Sequence, residues 1–87
     1  MNEDHINKIK QILTDWNPLG EKASQIEDLE NYETEAIDIL FYIDKKTSTD
    51  RINRITTQVL SEAFGVYVEL GESKKYAKKI RIIINDQ

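Results

Sequence analysis

The chain has 87 residues, a formal net charge of -4, 39% hydrophobic and 32% charged residues, and no cysteine. That length is expected to form one domain, 1–87. The missing thiols exclude disulfides, thiolate zinc sites and cysteine nucleophiles, and a small domain without disulfide staples is expected in a reducing cytosol. The opening residues, MNEDHINKIK, carry acids where a secretion signal has bases followed by an apolar run, and no apolar run nears the ~20 residues of a membrane span. A soluble, cytoplasmic protein is expected.

In chain order, the first expected element is a helix ending at Trp16. Ile6, Ile9, Leu13 and Trp16 recur at helical spacing, with Ile12 widening the stripe. Asn2 suits its N-cap, and Glu3 and Asp4 suit the positive end of its dipole. Pro18 has no amide hydrogen and pushes Asn17 away from helical dihedrals, so the stretch TDWNPLG reads as a helix stop followed by a turn. Trp16 is then the last anchor of the apolar stripe. Residues 17–31 read as a tethered loop, with Leu19, Ile26 and Leu29 pinned to the core and a short helical turn allowed.

A second helix is expected in YETEAIDILFYID, capped by Asn31. Tyr32, Ala36, Ile39, Leu40 and Ile43 form one face, and Ile37 and Phe41 broaden it enough to place the helix centrally in the core. Thr47 or Ser48 offers a cap for a third helix, whose face is Ile52, Ile55, Val59, Leu60 and Ala63. Gly65 falls where a left-handed C-terminal residue is wanted, and Val66 can pack back on the last turn. The final segment, YAKKIRIII, fits a helix through Tyr76, Ala77, Ile80, Ile83 and Ile84, with Ser73 as cap. Its β-branched run also fits a strand. The fold is therefore a small all-α four-helix array, or else α+β with a C-terminal hairpin from 66–70 and 79–84.

The charge is divided. Residues 1–44 hold eleven acids and three bases, whereas 45–87 hold five acids and nine bases. Glu27, Asp28, Glu30, Glu33, Glu35 and Asp38 form an unbroken acidic run, and Lys74, Lys75, Lys78, Lys79 and Arg81 a basic one. Either the two segments face each other and partly neutralise, or they are solvated faces, or one of them meets a charged partner.

Catalytic parts are scarce. His5 is the one histidine and reads as a surface residue of a first helical turn. The paired carboxylates have no visible pocket to raise one pKa. EDLENYETE lacks the glycine and alternating oxygens of a calcium loop. Gly20, Gly65 and Gly71 match no phosphate-binding fingerprint. Ser24, Ser48, Ser61 and Ser73 have no distant histidine to act as base. No enzyme, metal site or cofactor is expected.

The helix ending in WNPLG, the later YETEAIDIL and the helix ending in AFG together resemble the YugE-like domain-of-unknown-function family of small Bacillus-type proteins. The resemblance covers most of the chain and rests on Trp16, Asn17, Pro18, Tyr32 and Glu35. It implies an all-helical fold and brings no established activity, cofactor or catalytic residue. A similar Trp-Asp-Pro and Tyr pairing recurs in some small bacterial immunity-type proteins, and here Asn17 stands in place of that Asp.

The leading expectation is a non-catalytic protein–protein interaction module. An immunity or antitoxin-like protein using the acidic second helix is the alternative. Weak nucleic-acid binding through Lys74 to Arg81 ranks below it, because the chain is acidic overall, with a pI near 4.9. Phe41, Tyr42, Val66, Tyr67 and Val68 offer spare apolar surface, so a homodimer is a further expectation.

Overall fold

The computed structural model describes residues 3–20 and 32–85. Four helices follow one another: α1 (Glu3–Trp16), α2 (Glu33–Tyr42), α3 (Thr49–Phe64) and α4 (Leu70–Asn85). No strand occurs among the described residues. The all-α expectation therefore holds, and the hairpin alternative does not. Residues 66–69 belong to no helix or strand, and 79–84 lie inside α4.

The helices form a ring of four. Among the described residues, α1 packs on α2 and α4, α3 packs on the same two, and the diagonal pairs make no contact. The core is Ile9 and Leu13 of α1, Leu19, Tyr32, Ala36 and Ile39 around α2, Ile52 and Leu60 of α3, Val68, and Ala77, Ile80 and Ile84 of α4. Burying such side chains contributes about 1.5–3 kcal/mol each relative to exposure, and this term closes the ring.

α1 stops where the sequence places the stop. Asn17 turns left-handed at φ 51°, its amide donates to the Leu13 carbonyl at 2.8 Å, and Gly20 follows at φ 59°. Leu19 is buried as expected. Ile26, Leu29 and the Asn31 cap lie outside the described residues. The N-cap position of α2 is Tyr32, itself left-handed at φ 66°.

Asp44 and Thr47 build the turn into α3. The Asp44 amide donates to the Thr47 hydroxyl at 2.9 Å, and the Thr47 amide donates to the Asp44 carbonyl at 3.1 Å. Of the two cap candidates Ser48 is the one used, its hydroxyl accepting from the Arg51 amide at 3.2 Å. Gly65 ends α3 in the left-handed region at φ 64°, donating to the Ser61 carbonyl at 2.8 Å. The stretch after it returns beside Arg54, Thr57, Gln58 and Ser61 of α3, with Val66 half-buried, Tyr67 exposed and Val68 buried.

Several expectations are corrected. Ser73 is not the cap of α4, which starts at Leu70. It is buried inside the first turns, where its hydroxyl donates to the Asn53 side-chain oxygen. The Asn53 amide nitrogen in turn donates to the Leu70 carbonyl at 2.9 Å. These bonds seat the start of α4 on the start of α3.

The buried face of α3 is Ile52, Asn53, Thr56, Thr57 and Leu60. Ile55 and Val59 are only half-buried and Ala63 is exposed. The apolar spacing alone points to a rotated face, because α3 also buries Asn53, Thr56 and Thr57, the first of them bonded to α4.

α2 is not central either. Ile37, Phe41 and Tyr42 face outward, with Phe41 74% and Tyr42 63% exposed. Trp16 is half-buried rather than fully enclosed, and its ring stacks on Tyr76 of α4 at 4.5 Å between centroids and 13° between planes.

Candidate functional site

The charged segments are kept apart by the ring. α2 and α4 are diagonal, so the acidic and basic runs do not neutralise each other across the described residues. Each finds a partner on a neighbouring helix instead. Lys10 of α1 reaches Glu33 at 3.6 Å, and Asp50 of α3 reaches Lys74 at 3.6 Å.

The acidic run does not act as one exposed stripe. Glu27, Asp28 and Glu30 lie outside the described residues. Glu35 is turned inward and 7% exposed, with its Oε1 atom unpartnered. Burial, with a smaller push from the Asp38 charge, raises its pKa above the ordinary 4.5, although its own amide N–H works against the rise. Asp38 is exposed. The inward Glu35 breaks the acidic surface that the sequence suggests for α2.

The basic run is exposed along α4. The Lys75 and Lys79 ammonium groups lie 5.0 and 5.6 Å from the centre of the Tyr76 ring, on the residue that also stacks with Trp16. Such contacts are attractive because the ring face is electron-rich. Lys78 and Arg81 line a depression with Thr49, Ile82 and Asn85.

The surface that stands out includes Phe41 and Tyr42, two of the residues expected as spare apolar surface. Phe41 and Tyr42 meet edge to face, with ring centroids 5.2 Å apart. Tyr42 then borders a groove of about 300 Å³ along α3, lined by Arg51, Ile55, Gln58, Val59 and Glu62. A second depression, shared by Asp38, Tyr42, Val59, Glu62 and Ala63, continues it. With Ile37 and Phe41 on the outer side of α2, these residues make an apolar face rimmed by charge. Of the other aromatic and valine positions expected on the surface, only Tyr67 is exposed, at 88%. Val68 is buried and Val66 half-buried. The sequence signal for the groove was present in the over-wide apolar arc of α2, whose excess residues had to face outward.

Among the described residues no cluster of three or more His, Asp or Glu side chains could hold a metal ion. No described helix is long and apolar enough to cross a membrane. No family model matches the chain, and neither a curated protein nor a solved structure is significantly similar to it.

Proposed function

We propose that the protein is a non-catalytic protein-binding module whose partner docks on the α2–α3 face. One observation carries this reading: the Phe41–Tyr42 aromatic pair projects into solvent beside the groove that holds Ile55 and Val59. Exposed aromatic side chains are costly to leave in water, and they are the side chains that anchor interfaces. The charged rim of Arg51, Asp38 and Glu62 would give the contact its orientation. Kinship with the YugE-like family belongs to the same proposal and rests on Trp16, Asn17, Pro18, Tyr32 and Glu35. A cytoplasmic location is also part of it, supported by the absence of cysteine.

A photoreactive benzophenone amino acid placed at Phe41 tests the reading in living cells. Irradiation should yield covalent protein adducts that disappear when Ile55→Asp is added, while the same group at Lys78 on α4 gives none. No adduct from position 41 would sink the proposal.

A further inference from the structure

The charges on the groove have an order. Arg51 is the third residue of α3 and Glu62 the third from its end, so they sit symmetrically about the helix midpoint. Ile55 and Gln58 are likewise symmetric about it, and all four line the same groove. At 1.5 Å of rise per residue, Arg51 and Glu62 stand about 16 Å apart along the helix. Asp38 shares a depression with Glu62, so it adds negative charge at that end. The face is therefore positive at one end and negative at the other, with Ile55, Val59 and the uncharged Gln58 between.

A surface with that pattern is complementary to itself under a two-fold rotation. Turning one copy by 180° about an axis through the middle of α3 brings its Arg51 to the other copy's Glu62 and Asp38, and Ile55 to Gln58. The two α3 helices then overlap along their whole length in an antiparallel pair. An isologous contact of this kind forms every charge pair twice. Phe41 and Tyr42 of each copy would flank the partner's helix, covering the aromatic surface that the single chain leaves wet.

We infer that the occupant of the α2–α3 face is a second copy of this chain, paired antiparallel through α3 with Arg51 against Glu62. The inference rests on the reading of that face as a docking surface and names the partner.

Sedimentation equilibrium of the full chain, with charge reversals, tests it. Arg51→Glu alone and Glu62→Arg alone should each weaken the dimer on the order of tenfold or more, since each turns two attractions into two repulsions. Arg51→Glu with Glu62→Arg together should restore it, because the swapped charges pair again across the two-fold. Both residues are exposed, so helicity by circular dichroism should be unchanged. As a second readout, Gln58→Cys in this cysteine-free chain should oxidise to a covalent dimer, and Lys78→Cys should not. A monomer at about 1 mM, or a double reversal as weak as either single one, would overturn the inference. If the chain is monomeric while position 41 still cross-links to a different protein, the docking face stands and only its occupant is wrong.

Discussion

The Tyr32 hydroxyl donates to the Asn17 side-chain oxygen at 2.9 Å across fifteen residues of chain, and both residues hold left-handed backbone. This bond ties the exit of α1 to the entry of α2. It gives the Trp-Asn-Pro and Tyr motif a structural role: Pro18 prevents α1 from continuing, Asn17 tolerates the left-handed turn, and Tyr32 closes the bracket. Tyr32→Phe should cost about 0.5–1 kcal/mol, because Asn17 is exposed and water can replace the phenol. Asn17→Ala should cost about 2 kcal/mol, since it adds a strained left-handed alanine to the lost bond. Urea denaturation of both variants and of the double variant measures the coupling. Additive losses would mean that the two side chains are not coupled in solution.

Trp16 joins α1 to α4 through its stack on Tyr76. Trp16→Ala should destabilise by about 2–3 kcal/mol, less than the ~3–5 kcal/mol of a fully enclosed Trp. Because Trp16 is the only tryptophan, its fluorescence also reports whether the two helices are docked. Tyr76→Leu should shift that emission with the fold intact. An unchanged spectrum would mean that the rings do not stack in solution.

The buried Asn53–Ser73 pair fixes the start of α4 on α3. Ser73→Ala leaves the Asn53 oxygen short of a donor. Asn53→Ala removes both of its own bonds and leaves the Ser73 hydroxyl and the Leu70 carbonyl with only their 3.2 Å bond to each other. Costs of about 1–2 and 2–3 kcal/mol are expected, in that order, from one buried acceptor short of a donor in the first and from two lost hydrogen bonds plus lost packing in the second. Thermal melts that rank the two variants the other way would show that the pair is not set up as described.

Glu35 predicts a pH dependence. An acid whose folded-state pKa is raised binds more protons folded than unfolded in the window above its ordinary 4.5. Its favourable contribution is therefore complete below 4.5 and is lost as pH rises through the raised value. Glu35→Gln removes that loss, so the variant should gain on the natural chain as pH rises from about 4.5 through the raised value, and the difference should then level off. Urea midpoints for both proteins across this range give the difference directly. A constant offset would place Glu35 in water.

The boundaries of the helices were largely legible because they depend on local chemistry. Pro18, Ser48 and Gly65 act within a few residues of themselves, and each ends or starts a helix where expected. The sides that the helices bury were less legible. Asn53, Thr56 and Thr57 are inside, and for Asn53 the reason is its partners on α4, which no local pattern contains. Ile37 and Ile55 were read as core because they are apolar, yet a ring of four short helices has only one inner side. The inward turn of Glu35 was invisible for a similar reason: an acid among acids looks like surface until its helix is packed.

The ring also has a kinetic meaning. Contacts between α1 and α2, α2 and α3, and α3 and α4 join neighbours in the chain, whereas α1 and α4 meet only through residues such as Trp16 and Tyr76, sixty positions apart. Closing a loop of that length carries a logarithmic entropy term of about 3.6 kcal/mol. Three sides of the ring can thus assemble locally and quickly, while the fourth is a seam that must wait for them. The stacked aromatic pair lies on that seam, at the one join where the beginning and the end of the domain have to find each other.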